Sequence, residues 1–231
     1  MDLEHNLNSV VERIGSSCAR AERAPSEVTL VAVTKGQPPE VVQEAMRLGL
    51  TLFGENKIQE ARSKIPLCSG KLHWHFIGHL QSNKVRDAVR FFEMVQSVDS
   101  IDIAEELNRR ADEASKTIPI LIEVNIVGEA SKFGYRAEKL RTDLPELNQL
   151  KRLEIHGLMI VPPWSPEPET VRPVFRQLRD LKEECQQILG APLAHLSMGM
   201  SSDFEVAIEE GATMVRLGTA LFGSRPGARK T

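Results

Sequence analysis

Apolar residues along this chain fall into two alternating patterns: short, nearly unbroken runs rich in aliphatic residues, and longer stretches with apolar positions every three or four residues. The first suits strands buried on both faces, as in a parallel sheet; the second is the stripe of an amphipathic helix. Residues 2–22 carry Leu3, Leu7, Val10, Val11, Ile14 and Cys18 on one helical stripe, which Ala24-Pro25-Ser26 ends. A strand is expected at Val28–Val33 (VTLVAV), then a helix opened by Pro38-Pro39 and running through Leu48. The unit repeats at Thr51–Phe53 with a helix to about Lys64, and at His73–Ile77 with a helix from about Gln81. Met94–Val98 precedes a helix over Ile101–Ser115, capped by Asp99 or Ser100. Pro119–Asn125 leads through a loop at Gly128–Gly134 into a helix over Glu138–Leu150, and Leu153–Val161 into a long helix from about Glu169 to Ile188. The last two strands, His195–Met198 and Thr213–Leu217, enclose a helix of about ten residues, and a disordered-looking tail follows Gly223. Eight strands alternating with helices predict an α/β fold, a single TIM-like (β/α)8 barrel with an extra N-terminal helix, rather than an open doubly wound sheet. No linker divides residues 1–231, so one domain is expected, at a length usual for such a barrel.

Composition narrows the function more than the fold. A net charge of −3 from 29 basic and 32 acidic residues provides no field to recruit nucleic acid or an anionic membrane. Aromatic residues make up only 5%, too few for a base-stacking surface. The apolar runs are strand-sized, well short of the ~20 residues of a membrane helix, and MDLEHNLNSVVERIG lacks a signal-like apolar core, so a cytoplasmic protein is expected. Cys18, Cys68 and Cys185 are solitary and form no CxxC pair, which fits buried or surface thiols in a reducing compartment.

Barrel sites lie at the carboxyl ends of the strands, which singles out Lys35, Asn56, His79 or Gln81, Asp99, Asn125, Trp164, Ser197 with Met198, and Arg216. Lys35 closes the first strand, where partial desolvation would lower its pKa and leave an amine able to attack an aldehyde. A lysine reaching out to solvent fits the same position. Ser197, Gly199, Ser201 and Ser202 follow the seventh strand, and Gly218 and Thr219 the eighth. Small residues there let backbone amides approach an anion, the usual phosphate cradle of this fold, although tight turns alone would also use them. An amine after the first strand and a phosphate cradle after the last two suggest pyridoxal 5′-phosphate (PLP). A sugar phosphate held by a class I aldolase-like barrel uses the same pair. His73 and His75 share a strand face, but no Cys or acidic residue lies close in sequence, so His75 is expected as a hydrogen-bonded residue inside the barrel and no metal is expected. No P-loop or GxGxxG is present to bind a nucleotide.

The segments VAVTKGQP, FGENKIQEARSK, LHWHFIGHLQSNK, EVNIVGEASKFG, GLMIVPP and LSMGMSSDFEVAIEEGATMVRLGTALFG occur in an order, and over a span of about residues 28 to 225, that resembles the PLP homeostasis protein family. Members of that family are similar to the N-terminal barrel of alanine racemase. The resemblance implies that Lys35 carries the cofactor as a Schiff base, the internal aldimine. It implies phosphate contacts from Ser197, Ser201 and the backbone of Gly218 and Thr219, with Asn56 and Met198 lining the ring. Arg216 would face the pyridine nitrogen and disfavour its protonation, which makes the cofactor a poor electron sink; a rim salt bridge to Glu209 or Glu210 is the alternative. The implied role is vitamin B6 homeostasis, as a carrier or buffer with PLP-dependent apoenzymes as recipients, and as a monomer or weak dimer. Racemases of this fold add a second domain that supplies a catalytic tyrosine. The one tyrosine here, Tyr135, is expected to pack on the surface; if it reached the barrel mouth, a slow PLP enzyme or racemase would become the reading. Lys132, in EASKFG, is placed near the entrance as a transient docking point for the cofactor.

Overall fold

The computed structural model describes residues 2–129 and 132–223. Its strands are β1 (Thr29–Val33), β2 (Leu52–Glu55), β3 (His73–Phe76), β4 (Met94–Val98), β5 (Ile118–Glu123), β6 (Leu153–Met159), β7 (His195–Ser197) and β8 (Met214–Leu217). They close into a parallel barrel in sequence order, with β8 pairing back onto β1. The helices are α1 (Leu3–Arg20), α2 (Pro39–Arg47), α3 (Ile58–Lys64), α4 (Val85–Phe91), α5 (Ile101–Glu113), α6 (Ala137–Leu147), α7 (Arg172–Leu189), α8 (Phe204–Glu209) and α9 (Thr219–Phe222). The predicted barrel with an added N-terminal helix is therefore the one observed. Among the described residues no helix is long and apolar enough to cross a membrane.

Burial follows the period-two alternation of the strands. Val31, Met94, Leu121, Met159 and Met214 meet inside the barrel, with Leu52 against them. The outward residues join the helix faces in a larger shell that includes Ala32, Phe53, Phe76, Val95, Ile120 and Ile122. Packing between β6 and β7 depends on Gly157, where a Cβ would lie 2.0 Å from the His195 carbonyl oxygen. Cys18 and Cys185 are buried and Cys68 is half-buried, all as free thiols.

Helix α1 buries Leu3, Leu7, Val10 and Ile14, worth at most about 6–12 kcal/mol by area. Asp2 caps it by accepting the His5 amide. Polar contacts fix what it packs against. Arg13 grips Glu205 through two hydrogen bonds of 3.0 and 2.9 Å, and Asn6 Nδ2 donates to the Leu221 carbonyl at 2.9 Å. The N-terminal helix thus braces α8 and α9, the short helices that follow the loops of the last two strands.

One element differs from expectation. Helix α8 has six residues, not about ten, because residues 199–203 form a loop. Gly199 sits at φ +95°, where a Cβ would meet Ala207 Cβ at 2.7 Å, and Asp203 accepts the Met200 amide at 2.6 Å. The tail beyond Gly223, and two residues of the Gly128–Gly134 loop, lie outside the described residues.

Candidate functional site

A cavity of about 740 Å³ opens at the carboxyl ends of the strands. Lys35 and Asn56 line one wall, Ser201, Ser202, Gly218 and Thr219 another, and Glu123, Asn125 and Arg216 reach it from β5 and β8. The rim is apolar: Trp164 is exposed, and Phe133 stacks on His79 with ring centres 3.6 Å apart.

The loop that carries Lys35 is anchored from below by a buried ionic cluster. Lys64, on α3, donates from Nζ to the Thr34 carbonyl, to Glu55 Oε1 and to Glu60 Oε1, each at 2.6 Å. The Thr34 hydroxyl donates to Glu55 Oε1 at 2.7 Å, and the Gly36 amide donates to Glu60 Oε1. Both neighbours of Lys35 are therefore tied to one cation. Burial pushes the Glu55 carboxyl above its ordinary value, while Lys64 and Thr34 pull it back.

On the neighbouring side, after β7 and β8, the two loops are joined by the Ala220 amide, which donates to Ser201 Oγ at 3.0 Å. Beneath them runs a hydrogen-bonded chain whose polarity follows from its first member. Arg216 can only donate, so Ser197 Oγ accepts from Nη1 at 2.6 Å and must give its own proton to Gln96 Oε1, also at 2.6 Å. Gln96 Nε2 then donates to His75 Nδ1 at 2.8 Å, which leaves the His75 proton on Nε2. Burial, reinforced by His195 and His73, pulls the His75 pKa down to about 4, so this end of the chain is neutral. Arg216 Nη2 donates to the Ile160 carbonyl at 2.7 Å.

Arg216 is only 4% exposed, and no carboxylate among the described residues lies within ion-pair distance of it. Burial lowers its pKa to about 10, with Glu123 and Asp203 raising it, so it stays charged at neutral pH. A buried, unpaired cation beside two small-residue loops makes this end of the cavity suited to an anion or a lone pair. The rim salt bridge is not formed: Glu209 pairs with Arg20 and Arg172, and Glu210 with Arg172, Arg176 and Arg179.

Three expected placements are corrected. Ser197 lies inside the barrel with its hydroxyl committed to Gln96 and Arg216, so it orients the arginine and does not line the cavity. Met198 points the other way into the shell between strands and helices; Met200, past the turn at Gly199, is the methionine on the wall. Strand alternation puts Ser197 and Met198 on opposite faces. Tyr135 is neither on the surface nor on the cavity wall. It is 4% exposed, its hydroxyl has no hydrogen-bond partner among the described residues, and burial with Asp143 and Asp99 nearby raises its pKa strongly.

Other candidates have structural partners. Asn125 closes its own loop, donating to the Glu129 and Lys132 carbonyls and accepting the Gly128 amide. His79 pairs with Asp99 at 2.8 Å, and Lys132, on the cavity wall, lies 3.6 Å from Glu129. Lys35, Asn56, Ser201, Arg216, Gly218 and Thr219 are brought together around the cavity. Two residues of the site were not singled out from the sequence: Gln96, which links His75 to Ser197, and Glu123. The signal for Glu123 was a charge inside PILIEVN, two residues before Asn125 and on the same face.

The pyridoxal phosphate homeostasis protein of Aquifex aeolicus is 43% identical over 226 residues, covering 97% of this chain and 99% of that one. The chain belongs to the pyridoxal phosphate homeostasis protein family. The family described as alanine racemase, N-terminal domain, matches residues 3–226. Among solved structures, PipY of Synechococcus elongatus with PLP bound is 40% identical, covers 93% of this chain and all of that one, and superposes with a TM-score of 0.82. An alanine racemase of Clostridium difficile is only 16% identical; it covers 98% of this chain but 58% of its own, with a TM-score of 0.71, which speaks to the fold alone.

The site fits what such a family member would hold. An amine just after β1, small-residue loops carrying Ser201, Gly218 and Thr219, and a buried guanidinium on the same cavity suit an aldehyde, a phosphate and a ring nitrogen on one rigid molecule.

Proposed function

We propose that the protein binds pyridoxal 5′-phosphate covalently through the Lys35 amine and acts in intracellular vitamin B6 homeostasis, as a carrier or buffer rather than a fast catalyst. The observation that carries this reading is that Lys35, the Ser201, Gly218 and Thr219 loops and buried Arg216 all line one cavity, with the β8 loop packed beside the end of β1. A relative at 40% identity solved with PLP bound supports it. When bound, the cofactor supplies an aldehyde carbon that condenses with an amine.

The chain's own residues do the rest. The Lys64 cluster holds the loop on both sides of Lys35, so its amine is presented with little conformational freedom to lose. Ser201, Gly218 and Thr219 receive the phosphate, and Asn56 lines the ring. Arg216, oriented by Ser197 and Ile160, offers an N–H to the ring nitrogen and keeps a proton off it. That favours storage over carbanion chemistry. With Tyr135 turned into the protein, the tyrosine that a racemase would need is not on the cavity wall. The working state we infer is a cytoplasmic monomer or weak dimer that passes PLP to apoenzymes.

Purified protein incubated with PLP should turn yellow, and borohydride should bleach it and leave the pyridoxyl label on Lys35; K35A should give no covalent colour. Protein that stays colourless refutes the reading. Exchange of the α-hydrogen of amino acids in heavy water by the loaded protein would favour a racemase-like enzyme instead.

A further inference from the structure

Glu123 ends β5 facing the cavity, 8% exposed, in the same mouth as Lys35 and Arg216. Among the described residues its carboxyl makes no ion pair, and the two Arg216 hydrogen bonds go to Ser197 and Ile160 instead. A carboxylate lining a pocket built for an anion opposes the ligand whenever it is charged. On the reading above, we propose that Glu123 takes up a proton from solvent as the phosphate-bearing cofactor enters, so that binding is proton-coupled.

The surroundings favour the neutral form. From β4, Asp99 faces it with like charge, itself held by His79 from the β3 side. β6 contributes Met159 and Ile160, which cannot ionise. From β8, Arg216 acts the other way, and Lys35 after β1 with the Glu129–Lys132 pair of the β5 loop are the other charged groups lining the cavity among the described residues. Burial is the largest influence, and the carboxyl is pushed up to about 7 before any ligand is present. A bound phosphate adds negative charge and pushes it higher. The sign follows: below about pH 7 the group is already neutral and affinity does not depend on it. Above that, each binding event must capture a proton, and affinity falls by about tenfold per pH unit until the carboxyl's value in the complex is reached.

Wild type and E123Q are titrated with PLP from pH 6.5 to 8.5, read by visible absorption, with calorimetry at pH 8 in two buffers of different ionisation enthalpy. Wild-type affinity is expected to fall about tenfold per unit more steeply than that of E123Q, with up to one additional proton taken up per site. The two proteins should bind alike at pH 6.5. E123A, which leaves no polar group, should flatten the slope in the same way and guards against a folding defect in E123Q. Equal slopes and proton counts in wild type and the variants overturn the inference and leave the reading of the site standing. A wild type that stays colourless at every pH overturns both.

Discussion

Replacing Lys64 with methionine tests how the Lys35 loop is held. The side chain is 4% exposed and its ammonium satisfies three oxygens at 2.6 Å, one of them on Glu55, which is fully buried. K64M keeps most of the volume and removes the charge, so among the described residues Glu55 is left with the Thr34 hydroxyl alone, its Oε2 having no partner there. Removing one member of a buried pair costs about 3–5 kcal/mol. For a chain of this size that lowers the melting temperature by about 6–20 °C. The cost should depend on pH in a defined direction. Without the cation the folded Glu55 carboxyl lies still further above its unfolded value, so its penalty is absent at low pH and grows as pH rises past about 4.5. Urea unfolding of wild type and K64M between pH 4.5 and 8 measures both quantities, and adding E55Q to K64M should recover most of the loss. A K64M cost below about 1 kcal/mol at pH 7, or one that does not change with pH, would refute the account of the cluster. Colour development with PLP should slow in K64M, because Thr34 and Gly36 lose their common anchor.

Two further outcomes test the interior. His75 stays neutral in the fold because its pKa is about 4, below the unfolded value of 6.5; its contribution is intact above pH 6.5 and lost as pH falls toward 4, a difference of about 3 kcal/mol. H75Q, which can still accept from Gln96, should flatten the acid limb of stability in urea titrations, and an unchanged limb would show that other groups set it. Y135F removes a buried hydroxyl that has no hydrogen-bond partner among the described residues, so stability should stay level or rise by about 1 kcal/mol and PLP loading should not change. A marked loss of loading would put Tyr135 in the site after all.

How much was legible varied with how local the determining interactions were. Strand and helix positions came through because burial on both faces writes itself as runs such as VTLVAV, and helix stripes as three-to-four spacing. The α8 boundary did not, because the stretch between the last two strands has room for a longer helix, while the loop ahead of Phe204 is set by a contact, Asp203 accepting the Met200 amide. Lys35, Gly218 and Thr219 stood out because strand ends in this fold face the site. Ser197 and Met198 were misplaced for the same reason: the rule names a position in the chain but not which side of the barrel wall it faces. Tyr135 was read from its place in a loop, and only its bridge to Val124 and its burial show it to be inside.

The order of apolar runs by itself determined a barrel with its lysine after the first strand and its small-residue loops after the last two, because those features depend on neighbours in the chain. The tertiary structure alone decided the chain of donors from Arg216 through Ser197 and Gln96 to His75. It also decided the Lys64 cluster under Lys35 and the place of the Glu123 carboxyl on the cavity wall, since each depends on how separate elements meet. Burial and partnership set the charge of such groups, and neither exists until the barrel closes.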